Sequence, residues 1–121
     1  MIQSNSFLSV TDNSGVKQIK CIKVLEGSYN NGSIGSFIKA AVQKVLPNRK
    51  IKAGDVVDAL IVRLKKEKPR KDGTYFKFFS NEAILLNSKQ LPLGTRIFGP
   101  IPRELRQKKL MKVVSIAQGI I

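Results

Sequence analysis

The sequence predicts a mainly β protein: a small closed β-barrel of about five short strands, followed by a short helical C-terminal region. Three observations point there. Short apolar and β-branched runs are separated by Gly, Asn and Pro clusters, and helix signals occur only after Gly94. The longest run, Val16–Leu25, changes phase: Ile19 and Cys21 share one face, Ile22 and Val24 the other, as in a bulged strand or one bent around a small barrel. The length of 121 residues suits a single domain with one modest core, and no internal repeat or linker interrupts it. The barrel is expected over about 1–94, and a hook with short helices over about 95–121.

Phe7–Val10 reads as the first strand. Asp12-Asn13-Ser14-Gly15 then forms a turn, because Asp, Asn and Ser side chains bond nearby backbone and Gly tolerates positive φ. After Val16–Leu25 comes a Gly/Asn/Ser-rich loop, Glu26–Gly35. Ser36–Val45 is the next strand, with Ile38, Ala40 and Val42 on one face and Lys39 and Gln43 on the other. Leu46–Asp55 is a basic loop carrying Arg49, Lys50 and Lys52. Val56–Leu64 is nearly continuous apolar residues, the pattern of a strand covered on both faces. Asp72-Gly73 predicts a two-residue hairpin turn, with Pro69 demoting the arm Arg63–Phe79 to an edge ribbon. An isolated hairpin is marginal in water, so this arm is expected to be partly mobile until a binding partner or a neighbour holds it. Ala83–Leu86 closes the barrel. Leu110, Val113, Val114 and Ala117 recur at helical spacing and predict an amphipathic helix packed back on it.

Between these lies Thr95–Arg106, Thr-Arg-Ile-Phe-Gly-Pro-Ile-Pro-Arg-Glu-Leu-Arg. Gly99-Pro100 should break its extended run, since Pro moves the preceding residue out of the helical region. Pro102 suits the first turn of a helix, where its missing N–H costs nothing. Glu104 near the helix start and Lys108 and Lys109 near its end match the helix dipole.

Composition narrows the function. There are 22 Lys+Arg against 8 Asp+Glu, a formal charge of +14. That excess suits a polyanion, nucleic acid before anionic membrane. No run of about eighteen apolar residues exists to span a bilayer, and no signal peptide or Arg/Ser-rich presequence is evident before the first strand. One cysteine and no histidine leave no disulfide, no His-based acid–base chemistry and no ordinary zinc site. No cofactor, metal or catalytic residue is expected, and Cys21 reads as a small buried hydrophobe.

The candidate phosphate contacts are Lys17, Lys44, Arg49, Lys50 and Lys52; Arg63, Lys65, Lys66, Arg70 and Lys71 along the ribbon; and Arg96, Arg103, Arg106 and Lys109 in the hook. Arg63 is expected to be the best ordered of the ribbon set. The bland alternative is solvated charge. Aromatics interleaved with these cations can stack on bases, although Phe76 and Phe78 are more simply read as barrel packing. Ile97-Phe98 beside Arg96 has the aromatic-plus-Arg character of an interface anchor.

Asp12-Asn13-Ser14-Gly15, the hook Thr95–Arg106 and Met111-Lys112-Val113-Val114-Ser115 occur in that order, with Ala59-Leu60-Ile61-Val62, Asp72-Gly73, Phe78, Asn81 and Ile84-Leu85 between them. Together these motifs resemble the bacterial-type family of the fourteenth protein of the large ribosomal subunit, from Met1 to about Ala117. The resemblance implies a five-stranded barrel with a projecting β-hairpin ribbon and a small helical C-terminal region. It implies a structural role: binding large-subunit rRNA near the subunit interface and bridging to small-subunit rRNA. Implied protein neighbours are the third and nineteenth large-subunit proteins, and a ribosome silencing factor docking around Thr95, Arg96 and Ser115. The interface set is thus Thr95, Arg96, Ile97, Phe98 and Ser115.

Departures from the family pattern are Lys17-Gln18 after the first turn, Tyr29-Asn30-Asn31 where a basic run is usual, Phe79 in place of an acid, and Ala117-Gln118 in place of Ala-Pro. That ending resembles mitochondrial members, and the richness in Lys, Ile and Asn suits an AT-rich genome. The expected location is therefore the mitochondrial ribosome of the matrix, as an organelle-encoded protein, with plastid or bacterial cytoplasm as alternatives. Two other functions compete. A free nucleic-acid-binding barrel of the OB type, acting as a translation factor, would place aromatics on an exposed strand face. A metal-dependent nuclease would need Asp12, Asp55 and Asp58 to converge.

Overall fold

A computed structural model describes residues 2–25, 31–107 and 110–121. Strands β1 (Phe7–Val10), β2 (Val16–Val24), β3 (Phe37–Val45) and β4 (Val56–Arg63) run in sequence. A small hairpin, β5 (Lys68–Pro69) and β6 (Tyr75–Phe76), precedes β7 (Glu82–Leu86). The C-terminal hook comprises β8 (Ile97–Ile101), helices α1 (Glu104–Gln107) and α2 (Met111–Ile116), and β9 (Ala117–Ile120). The closed barrel has the order β1-β2-β3-β4-β7, with antiparallel neighbours throughout except where β1 meets β7 in parallel through Ser9↔Glu82 and Val10↔Ala83. The expected barrel is therefore present, strand for strand.

The phase change in β2 has a physical cause. Strict alternation after the buried Cys21 would send Lys23 inward and Val24 out. A register irregularity between Cys21 and Lys23 leaves both Ile22 and Lys23 exposed and returns Val24 to the core. One unpaired ladder residue costs less than an unpartnered buried ammonium. The sequence pattern groups Ile22 with Val24; only Val24 is inside. In β4 the continuous apolar run is buried from Ala59 onward, but Val56 at its start is 62% exposed, so coverage on both faces begins later than expected.

The ribbon is shorter and better anchored than an isolated arm. Only Lys68↔Phe76 and Pro69↔Tyr75 pair. The turn is not the expected two-residue type, since Gly73 has φ +89° and Asp72 is not in the left-handed region. The Gly73 N–H instead donates to the Arg70 carbonyl (3.1 Å) and the Arg70 N–H to the Thr74 carbonyl (2.8 Å), a three-residue loop closed by glycine. Asp72 Oδ1 fastens it by accepting from the Thr74 N–H and hydroxyl at 3.1 and 2.6 Å. Arg70 then ties the ribbon to the hook: Nε donates to Glu104 (2.8 Å), Nη2 to the Ile121 carbonyl (2.8 Å), and its guanidinium lies 4.2 Å from the centre of the Phe76 ring. Phe76 in turn meets Phe78 edge to face at 6.0 Å, so these two rings serve packing, in line with the simpler expectation for them.

The hook corrects two further expectations. Gly99-Pro100 does not break the extended run; it forms an irregularity inside β8, with Gly99 at φ +81°. Proline has no N–H to pair, and only a residue tolerant of positive φ can precede it in this bend. The amphipathic helix ends at Ile116, one residue short of Ala117, which is extended at φ −77°, ψ 149° and begins β9. Strand β9 pairs in parallel with β8 through Ile97↔Ala117, Pro100↔Gly119 and Ile101↔Ile120. Gly119 is a poor helix former and the Ile120-Ile121 end prefers a strand, so the free edge of β8 captures this segment. Val113, from the helical stripe, is buried as predicted.

Candidate nucleic-acid interface

The first turn and the start of the hook, 82 residues apart in sequence, form one corner. Asp12 is buried and organises it. Its Oδ1 accepts from the N–H and hydroxyl of Ser14 at 3.1 and 2.5 Å, and its Oδ2 accepts from the Leu85 N–H at 3.0 Å. That geometry turns Asn13 outward onto the hook. Asn13 Nδ2 donates to Thr95 Oγ1 (2.8 Å), and its Oδ1 accepts from the backbone N–H of Thr95 (2.8 Å) and of Arg96 (3.3 Å). Gly94 is required beside this clamp, because a Cβ there would lie 2.6 Å from Asn13 Oδ1. The Phe98 N–H donates to the Thr11 carbonyl (2.7 Å), which extends β8 along the end of β1.

The clamp sorts the expected interface residues. Thr95, Arg96 and Ser115 are exposed, and Phe98 is 48% exposed. Ile97 is 0% exposed and belongs to the core, not to the interface set in which its sequence context places it. Alternation along β8 makes the difference, sending Ile97 in and its neighbours out. Parallel pairing of Ile97 with Ala117 brings the start of β8 and the end of α2 to the same end of the hook, which gathers Thr95 and Ser115 there.

The basic residues divide into two kinds. Lys17, Lys44, Arg49, Lys50 and Lys52 are all exposed, and none forms an ion pair among the described residues. The Leu46 N–H donates to the Gly15 carbonyl (2.9 Å), so the basic loop starts against the first turn. Arg49 folds across Gly15 so closely that a Cβ there would meet its Cγ at 2.8 Å. Lys17, Arg49, Val10, Val16, Leu46 and Phe98 share a groove of about 340 Å³ with that turn. In the hook, Arg96 and Arg106 are exposed and without an ion pair among the described residues, while Arg103 lies 3.7 Å from Asp72. Lys65, Lys66 and Lys71 are exposed; the Lys65 N–H donates to Asn81 Oδ1 (2.8 Å). Lys109 lies outside the described residues.

Two expected phosphate contacts are occupied inside the molecule. Arg63 is 8% exposed: its guanidinium pairs with Glu82 through Nη1, its Nη2 donates to the Phe98 carbonyl, and its Nε donates to the Pro100 carbonyl at 2.8 Å. Far from being the best-ordered RNA contact of the ribbon, it bolts the hook to the barrel. Arg70, with 12% of its side chain exposed, is held by Glu104, Ile121 and Phe76 as described. Both look like surface cations in the sequence because their acidic partners lie far along the chain. Nothing local marks Glu82 as a partner, and Glu104 looks only like a dipole-matched helix start. Asn13 likewise has the local character of a turn residue; its clamp joins segments that no local pattern connects.

Electrostatics reinforce the division. Burial pushes the Glu104 carboxyl up, but hydrogen bonds from Arg70 and the backbone, together with the charges of Arg70 and Lys68, hold it below the ordinary range. Asp72 is also lowered, by the hydrogen bonds from Thr74 and the nearby charges of Arg103 and Arg70. Burial raises the Cys21 thiol, which keeps it protonated and inert. The carboxylates weighed for metal chemistry are separately engaged: Asp12 as above, Asp55 accepting from the Lys52 N–H (2.9 Å), and Asp58 facing Lys39 at 2.5 Å. Among the described residues no helix is long and apolar enough to cross a membrane.

An exposed cationic rim without acidic partners among the described residues, joined to a rigid corner on a closed barrel, suits a polyanion. The family model for ribosomal protein L14p/L23e matches residues 1–121, and the chain belongs to that family, whose members are structural, non-enzymatic constituents of the large ribosomal subunit that bind its rRNA.

Proposed function

We propose that Lys17, Lys44, Arg49, Lys50 and Lys52 contact large-subunit rRNA phosphates, and that Thr95, Arg96, Phe98 and Ser115 face the subunit interface. There they contribute to a bridge with small-subunit rRNA and form the docking surface for a silencing factor. The Asn13 clamp carries this reading: it fixes the backbone of Thr95 and Arg96 while leaving their side chains exposed. A corner held rigid with its guanidinium outward avoids much of the ordering cost of association. Arg103, Arg106, Lys65, Lys66 and Lys71 extend the rRNA contact set. Arg63 and Arg70 leave it, and act by holding ribbon and hook in place. The exposed Phe79 and Tyr75 on the ribbon suit contact with neighbouring ribosomal proteins, for which the third and nineteenth large-subunit proteins are the family candidates. The Ala117-Gln118 ending and the Lys/Ile/Asn-rich composition favour a mitochondrial ribosome over a plastid or bacterial one.

The test is Arg96→Ala in reconstituted large subunits. The variant is expected to fold and incorporate normally but to weaken subunit joining and silencing-factor binding. Normal joining and normal silencing-factor binding by Arg96→Ala would remove the interface assignment.

A further inference from the structure

The geometry points to a stacking subsite for one unpaired nucleotide, with its base on Phe98 and its phosphate between Lys17 and Arg49. This rests on the rRNA-binding reading, assigns Phe98 of the interface set to RNA and leaves protein docking to Thr95, Arg96 and Ser115, and adds a defined occupant for the groove beside the first turn. Among the described residues Phe98 is the only aromatic lining that groove, and nearly half its surface is open although its backbone is fixed by the bond to Thr11. Val10, Val16 and Leu46 supply an apolar floor, and the volume of about 340 Å³ admits a nucleobase with part of its sugar. Cations stand on the rim: Lys17 on β2, and Arg49 laid across Gly15. An apolar floor and an open ring on a fixed backbone, with Lys17 and Arg49 exposed on the rim and the Asp12 carboxylate buried and hydrogen-bonded, fit a group that is flat and apolar on its face and anionic at its edge. A nucleotide has that form, and a peptide anchor residue does not.

The polar groups of the groove also say how the base is read. Asn13 uses its amide on Thr95 and Arg96, and Asp12 uses both carboxylate oxygens on Ser14 and Leu85. Asn13 is left with one free Nδ2 N–H and Asp12 is buried, and a single donor can meet an acceptor on any of the four bases, so the subsite takes any unpaired base and discriminates little among them.

The probe is a short oligoribonucleotide with one 2-aminopurine in an unpaired position, titrated with the full chain. Wild type is expected to change the fluorescence of the probe on binding. Phe98→Leu, which keeps the groove apolar, is expected to abolish that change and weaken binding by roughly 5- to 150-fold, the range of a single base–aromatic stack. Phe98→Tyr, which keeps the ring, is expected to retain both. An abasic competitor should compete as poorly as the Leu variant binds, and the four natural bases should compete within a few-fold of one another. Unchanged binding by Phe98→Leu, or strong preference for one base, would overturn the subsite. So would a Leu variant that loses only capture of ribosomal proteins, since Phe98 would then be a protein anchor. In each of these cases salt-dependent rRNA binding by wild type would survive, whereas its absence would remove the rRNA-binding reading itself.

Discussion

Replacing Arg63 by leucine separates two accounts of the same residue. If Arg63 were a phosphate contact, Arg63→Leu would lower RNA affinity and leave the melting temperature alone. The structure requires the opposite order of effects. The substitution leaves Glu82, with only 19% of its side chain exposed, without its cation, and strands the carbonyls of Phe98 and Pro100. Removing one partner from a buried pair costs about 3–5 kcal/mol. Partial exposure of Glu82 places the expected loss near the lower end, about 3 kcal/mol, or a fall in melting temperature of roughly 10–15 °C for a domain of this size. The assay is denaturant unfolding by circular dichroism, with amide exchange to locate the damage. Protection should fall first in β8 and β9 and later in the barrel strands. The double variant Arg63→Leu/Glu82→Leu should recover part of the loss, because no carboxylate is then left unpaired. A single-variant loss below about 1 kcal/mol, the value of an exposed pair, would refute the bolt.

Gly99→Ala tests the same junction from the other side: at φ +81° a Cβ would lie 2.5 Å from Arg63 Nη2, so a loss of roughly 1–3 kcal/mol is expected, and an unchanged unfolding midpoint would contradict the packing. Glu104 tests the ribbon clasp through pH. Its folded-state pKa lies below the unfolded value, so its stabilisation is full above about pH 4.3 and is lost as pH falls through the lower folded value. Glu104→Gln should therefore narrow the stability gap between pH 7 and pH 3, whereas an identical pH profile for variant and wild type would show that the clasp contributes nothing.

The barrel was legible because its signals are local. Period-two alternation in Ser36–Val45, the Gly-closed turns and the phase change in β2 each follow from residues adjacent in sequence, and each appears in the structure. The hook was only half legible. Val113 obeyed the helical stripe, but the switch at Ala117 depends on a free edge of β8 built sixteen or more residues earlier, which no window of sequence contains. The same limit governs the site. Exposed lysines and arginines were visible as charge, yet whether an arginine faces solvent depends on where the acids fall after folding. Arg63 found Glu82 opposite it on strand β7 and Arg70 found Glu104 in the hook, while Lys17 and Arg49 found none among the described residues.

Whether the rim Lys17, Lys44, Arg49, Lys50 and Lys52 meets rRNA phosphates is tested most directly by salt dependence. The measurement is the slope of log affinity against log salt for a large-subunit rRNA fragment, compared between wild type and the variant with these five residues changed to glutamine. All five side chains are exposed, so the variant is expected to keep the wild-type melting temperature. The slope should become shallower by roughly 0.7–0.9 for every phosphate no longer neutralised, or about 3.5–4.5 if all five side chains engage. An unchanged slope in a folded variant would contradict the account and move the rRNA contact to the ribbon and hook.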